Sequence, residues 1–231
     1  AILQAYRKYL LDDCGETTIE GMRGVADTAQ GRFDLERVFV PMRLIPADPS
    51  QRDESEVSSG PPPPRPFAEV FGETRRLALL ALPGGGKTML LKRLAVAYAD
   101  PQRRGKSSDQ LPDIDLIPVL IRCRDWRDRI DRPLFALFDD IASLTGHREL
   151  EELGEALLPR LELGSVLLLV DGLNEIHDAV QRSSFIGNLC EFLSKYDRVR
   201  IVITSREAGF DLVADDVATV CQRFRVAALD K

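Results

Sequence analysis

ALPGGGKTML, Ala81 to Leu90, is the stretch on which the fold turns. A wholly apolar run, LALLAL (77 to 82), leads into it. Lys87 to Ala99 follows, with Leu90, Leu91, Leu94 and Tyr98 on one helical face. A short continuous apolar run is the pattern of a strand buried on both faces. The expected local structure is therefore strand, glycine turn, helix, the context in which a glycine loop grips phosphate. Glycines let backbone N–H groups curl around an anion with no Cβ in the way. The helix N-terminus adds favourable partial positive charge. Pro83, Gly84, Gly85, Gly86, Lys87, Thr88 and Met89 are accordingly the candidate nucleotide-binding residues. Lys87 would reach the β- and γ-phosphates, and the Thr88 hydroxyl would bind Mg²⁺. The usual pattern is G-x-x-x-x-G-K-[ST], and Ala81 stands in place of its first glycine. Alanine costs little there if φ is negative, and about 1–2 kcal/mol if φ is positive. The loop is expected to work.

Outward from this stretch, strand and helix patterns alternate. IPVLIR (117 to 122), SVLLLVD (165 to 171), VRIVITS (199 to 205) and a run within VATVCQRFRV (217 to 226) read as further strands. Helical patterns cover 132 to 144, with Pro133 in the first turn, then 150 to 161 and 183 to 195. Such alternation predicts an α/β fold: a mostly parallel five-stranded sheet covered on both faces, the three-layer α/β/α sandwich of a P-loop NTPase. Ligands of such sheets sit beyond the carboxyl ends of the strands. No internal repeat is visible.

Before the core, residues 1 to 13 read as an amphipathic helix through Ile2, Leu3, Tyr6, Tyr9 and Leu10. RVFVPMRL (37 to 44) reads as extended, with Pro41 favouring an edge or bend. Half of the chain's 14 prolines fall between 46 and 66, among Ser, Asp and Glu. PPPPRP (61 to 66) favours extended polyproline backbone, expected to serve as a tether rather than as a ligand for a proline-reading domain. The predicted organisation is an N-terminal lead segment (1–45), a flexible linker (46–66) and a core (67–231). The chain opens without Met, part-way into a helical pattern, and is expected to be a piece of a longer protein.

A net charge of -6 argues against a protein built to coat nucleic acid. The arginines of RCRDWRDR (122 to 129) are interleaved with Asp125, Asp128 and the nearby Asp131, so a salt-bridged surface is expected there. No apolar run approaches the ~18 residues of a membrane span. Cys14, Cys123, Cys190 and Cys221 lie far apart without a C-x-x-C pair, so no zinc site is expected. Reduced, mostly buried thiols and a cytoplasmic location are expected instead. His147 and His177 lack ligand spacing and are expected at the surface.

A phosphate loop needs an acid to hold magnesium. VLLLVDGLNE (166 to 175) supplies Asp171 at the carboxyl end of an apolar strand. Hydrolysis also needs a group to orient water. Gly172 follows the Asp, and Glu175 is the next acid. In IVITSRE (201 to 207), Arg206 leaves the same edge of the sheet and could sense a γ-phosphate. Glu175, Arg206 and Lys87 are the candidate catalytic residues, and Thr88 and Asp171 the candidate metal ligands.

Together these stretches resemble the NACHT family of signal-transduction ATPases, the STAND class. RFDLERVFVPMRL (32 to 44), LLALPGGGKTMLLKRLA (79 to 95), IPVLIRCRDW (117 to 126), LELGSVLLLVDGLNEIHD (161 to 178) and IVITSREAGF (201 to 210) carry the resemblance. TIEGMRG (18 to 24) is similar to the segment preceding the core in bacterial members. A small residue after the Walker B Asp, then an acid two to three places on, marks the family, and Asp171-Gly172-Leu173-Asn174-Glu175 fits it. Asn174 takes the place of the commoner first acid of that pair, which predicts slow turnover. The resemblance implies a strand order of 5-1-4-3-2, with ATP or ADP and Mg²⁺ as cofactors. It also implies an ADP-held closed state, with homo-oligomerisation after exchange for ATP. Helical, winged-helix and sensor domains would follow this core, and the role would lie in defence or regulation. Neither membrane nor direct nucleic-acid binding is expected. Two other readings stay open: a nucleotide-binding interaction module that does not hydrolyse, and a P-loop kinase of small molecules.

Overall fold

A computed structural model describes residues 1–18, 32–47, 62–126, 129–207, 217 and 220–228. The chain begins with α1 (Ile2–Cys14), β1 (Glu16–Thr18), β2 (Arg32–Asp34), α2 (Leu35–Val38), β3 (Arg43–Pro46), β4 (Arg65–Pro66) and α3 (Phe67–Glu73). It continues through β5 (Arg76–Leu80), α4 (Lys87–Ala99), α5 (Pro101–Arg104), β6 (Ile117–Arg122), α6 (Leu134–Thr145) and α7 (Leu153–Glu162). β7 (Val166–Asp171), α8 (Ala179–Lys195), β8 (Arg200–Ser205) and β9 (Gln222–Val226) complete it.

Seven strands form one sheet in the order β4-β3-β9-β5-β8-β7-β6, and β1 pairs with β2 apart from it. β9, β5, β8, β7 and β6 run parallel, and counted along the chain these five lie 5-1-4-3-2. The sheet as a whole nevertheless differs from the five-stranded one expected. β3 and β4 extend it antiparallel beyond β9, with Leu44 opposite Val226 on one side and Arg65 on the other. They come from the extended stretch and from the end of the proline-rich segment. Pro46 and Pro66 are tolerated because this is the margin of the sheet, where few ladder donors are needed.

The step from β5 to β6 crosses the sheet one way, and the steps from β6 through β7 to β8 return the other way. Right-handed crossovers then place α4 on one face and α6, α7 and α8 on the other. Every residue of β7 is buried, as a central parallel strand between two helical layers requires. α4 is more deeply covered than a one-sided amphipathic helix would be. Leu90, Leu91, Leu94, Ala95, Val96, Ala97 and Tyr98 are all buried, because α1 packs on it. Tyr6 and Leu10 of α1 are fully buried, and the Tyr6 hydroxyl accepts the Leu120 N–H of β6 at 3.2 Å. The lead segment is further tied to the core by Arg103, which donates to Glu36 (2.6 and 2.7 Å) and to the Gly15 carbonyl. Arg93 is wholly buried yet satisfied, gripping Asp109 and the carbonyls of Arg103 and Arg104.

Several boundaries move. The last strand, expected within 217 to 226, occupies Gln222–Val226. Residues 37 and 38, the first two of the stretch read as extended, belong to the helical turn Leu35–Val38, and the strand starts only at Arg43. Pro133 caps α6 from outside its first turn. α8 begins at Ala179, four residues early, because Asp178 accepts the Gln181 N–H at 2.8 Å and starts the helix. TIEGMRG after Thr18 and most of the 46–66 segment lie outside the described residues. Among those described, no helix is long and apolar enough to cross a membrane.

Candidate functional site

β5, β7 and β8 end side by side, and the loops that leave them bring together the residues singled out above. The first loop runs from Ala81 to Gly86. Its backbone turns through positive φ at Gly84 (76°) and Gly86 (75°), a region where a Cβ is strained. Gly86 also lies against the flexible end of a side chain, which a Cβ would push aside. A Cβ there would lie 2.5 Å from the Met42 methyl of the lead segment. Ala81 is not among the positive-φ residues, so its methyl imposes no backbone strain and the substituted first glycine is harmless to the turn.

α4 starts at Lys87, and its first intrahelical bond is Leu90 N–H to Gly86 C=O. The N–H groups of Lys87, Thr88 and Met89 therefore have no partner within the helix, as at any helix start. Thr88 is exposed, and Met89 is half-buried against the core. Pro83 is exposed in the turn. The Gly85 N–H donates to the Leu82 carbonyl (3.1 Å), and Lys87 Nζ donates to the carbonyls of Ala81 (2.8 Å) and Leu82 (2.9 Å). Two donors of the loop, the Gly85 N–H and the Lys87 ammonium, thus rest on its own carbonyls, and an incoming anion would exchange with them.

Asp171 ends β7 nearly buried, at 8% exposure. Its Oδ1 accepts the Thr204 hydroxyl at 2.8 Å, and the same hydroxyl accepts the Gly172 N–H at 3.0 Å. One buried threonine therefore fixes both the carboxylate and the turn after it. Gly172 leaves the strand at φ 77°, and the chain then makes a single 3-10 turn, Leu173–Glu175. Glu175 and Asn174 are half-buried on that turn, and Arg206 is exposed just beyond β8.

The electrostatics place these side chains in one field. Burial, and next the Arg206 charge, lower the pKa of the Lys87 ammonium from its ordinary value, while Asp171 and Glu175 act against the shift. Arg206, Asp171 and Glu175 thus all lie close enough to act on Lys87. Whether such a site fits Mg-nucleotide is a question of donors. A helix start with free N–H groups, a lysine, an exposed Thr88 hydroxyl and an oriented Asp171 carboxylate match what a magnesium-bound polyphosphate needs. No cluster of three His, Cys, Asp or Glu side chains suited to holding a metal alone occurs among the described residues, so a cation here would share its ligands with phosphate.

Sequence reasoning passed over three neighbours of the site. Thr204 was legible only as a strand end, because its hydroxyl acts through a partner 33 residues away. Met42 reaches Gly86 from the 32–44 stretch, none of whose residues was assigned to the site. Cys123 follows β6, beside β7, and burial, then the Asp171 and Glu175 charges, push its thiol pKa up. Position at a strand's carboxyl end was its one available signal. Of the other cysteines, Cys14 and Cys221 are buried and Cys190 is half-buried. His177 is exposed, and His147 is partly exposed against Tyr9. Of the arginine-rich run, Arg122 pairs with Asp13 and Arg129 with Asp140, whereas residues 127 and 128 lie outside the described ones.

No family model matches the chain, and no curated protein matches it either.

Proposed function

We propose that this chain is the nucleotide-binding core of a NACHT-type P-loop ATPase, which uses ATP and ADP as the two positions of a switch. What supports the reading above all is the convergence of the GGGKT loop, Asp171, Glu175 and Arg206 at the adjacent carboxyl ends of β5, β7 and β8. On this reading the N–H groups at the start of α4 and Lys87 hold the phosphates. The Thr88 hydroxyl and the Asp171 carboxylate, held by Thr204, take the magnesium ion. Glu175 orients water, and Arg206 answers to the γ-phosphate. Bound Mg-ATP supplies the γ-phosphate charge that distinguishes it from Mg-ADP, and a switch needs such a differential contact. Glu175 acts without a second acid beside it, so turnover is slow. Exchange of ADP for ATP would then favour homo-oligomerisation of the larger cytoplasmic protein. The non-hydrolysing alternative differs only in the last chemical step, and single-turnover hydrolysis separates the two.

The test is thermal unfolding with Mg-ATP, Mg-ADP and Mg-GTP, beside Lys87→Ala. A ligand at one hundred times its dissociation constant stabilises by about 2.7 kcal/mol. For a chain of this length that raises the midpoint by roughly 5–10 °C. The expected outcome is such a rise with adenine nucleotides and none in Lys87→Ala. Equal midpoints with and without nucleotide in the unaltered chain would overturn the reading.

A further inference from the structure

Three consecutive residues at the end of β8 each bind a different part of the site. Thr204 holds Asp171 and Gly172. The Ser205 carbonyl accepts the Ala81 N–H, at the mouth of the glycine loop, at 3.3 Å. The Arg206 N–H donates to Asn174 Oδ1 at 2.9 Å. The second of these continues the ladder that pairs Leu80 with Ser205, and neighbouring parallel strands would make it with almost any side chains. The bond to Asn174 has no such origin. It runs from a side chain on the turn after β7 to the backbone of the first residue past β8, 32 positions along the chain.

This bond gives a function to a residue that looks like a defect in the sequence. Resting on the nucleotide-switch reading, we infer that Asn174 is a positioning residue whose side-chain carbonyl seats the Arg206 backbone, so that the guanidinium is presented to the γ-phosphate beside Lys87. An arginine side chain is long, and where its charge can go is set by where its Cα is held. A misplacement of about 1 Å in such a group is enough to weaken a site. Arg206 is exposed and has left the sheet ladder. Among the described residues its carbonyl accepts only the neighbouring Ser205 hydroxyl, at 3.1 Å, so the tether at its N–H is the contact that ties its base to the turn after β7. The chemistry of the acceptor matters as well. A carboxylate at 174 could accept the same N–H, but it would add a second negative charge beside Glu175 and draw the guanidinium toward itself. An amide accepts the bond and leaves the arginine charge uncommitted. The depressed pKa of Lys87, to which the Arg206 charge contributes, agrees with a guanidinium whose field already falls on the phosphate-binding lysine.

The experiment is a double-mutant cycle on the full 231-residue chain. Mg-ATP and Mg-ADP are titrated into the unaltered protein, Asn174→Ala, Arg206→Ala and the double variant. Asn174→Ala is expected to weaken ATP binding about 5–10-fold, the size of one lost hydrogen bond. ADP binding should stay within about twofold, because ADP lacks the group that Arg206 reads. The double variant should bind ATP no more weakly than Arg206→Ala alone, since coupled residues do not add. If Asn174→Ala does not fold, Asn174→Ser, which is too short to span the bond, replaces it in the same cycle. Equal losses for ATP and ADP, or additive losses in the double variant, would mean a general structural role and overturn the inference while leaving the nucleotide reading intact. No binding of either nucleotide to the unaltered chain would overturn the nucleotide reading itself, and this inference with it.

Discussion

At the scale of single residues, Ala81 and Gly85 must be considered together. A Cβ on Gly85 would meet the Ala81 methyl at 3.0 Å and the Leu82 carbonyl oxygen at the same distance. Ala81 sits in ordinary backbone, so its cost is not strain but the space it takes from position 85. Gly85→Ala is therefore expected to lower the thermal midpoint and to shrink the rise given by Mg-ADP. Ala81→Gly alone should keep that rise and lose only about 0.4–1 kcal/mol, mainly through a freer unfolded chain. Combining the two should recover part of the Gly85→Ala loss. It cannot recover all of it, because the Leu82 carbonyl remains. If Gly85→Ala alone leaves the ADP rise intact, the close approach does not govern the loop. An alanine at the first position thus adds to a need for glycine that the Leu82 carbonyl already imposes four residues along the chain.

At the scale of elements, the ties between segments decide what the sequence could reveal. Glu36 of α2 and Arg103 of α5 are 67 residues apart and largely buried together. Burial pushes the Glu36 carboxyl up, but hydrogen bonds from Arg103 and from its own backbone outweigh it and hold the carboxyl below its ordinary value of 4.5. A carboxyl with a depressed folded pKa stabilises the protein fully above its unfolded pKa and ceases to do so as pH falls through the folded one. Glu36→Gln should therefore lower the thermal midpoint at pH 7. The gap to the unaltered protein should close only as the pH falls below about 4.5. A gap that stays constant down to pH 3 would show that shape, not charge, carries the tie. Strands β5 to β8 were legible because each is a short apolar run bounded by polar turns. Asp171, Lys87 and Arg206 were legible because the ends of those strands are their addresses. β4 was not, since two residues, one of them proline, carry no period. Nor was the start of α8, where one Asp178 cap extends the helix beyond its apolar pattern. Asn174 and Thr204 were visible as letters, but their partners on the neighbouring strand were not.

At the scale of the whole molecule, the lead segment is not an attachment laid against a finished core. Its ties to the core include α1 on α4, Glu36 on Arg103, and Met42 beside Gly86. The last contact lies at the glycine loop itself, so whatever moves the lead segment also bears on the residues proposed to hold phosphate. The contact between Tyr6 and Leu120 has a further consequence, for solubility. β6 is the last strand of the sheet, and its outer rim is open to pairing wherever nothing covers it. IPVLIR is short and apolar, and Pro118 and Arg122 are its own only guards against pairing with another molecule, leaving the stretch between them exposed wherever nothing covers it. With α1 in place, the Leu120 donor is occupied and the apolar flank of α4 is sheathed. A chain lacking residues 1–14 should bind the same nucleotides at first, yet self-associate on standing, with light scattering that rises with concentration. In this protein the helix that precedes the core would also act as its guard against aggregation.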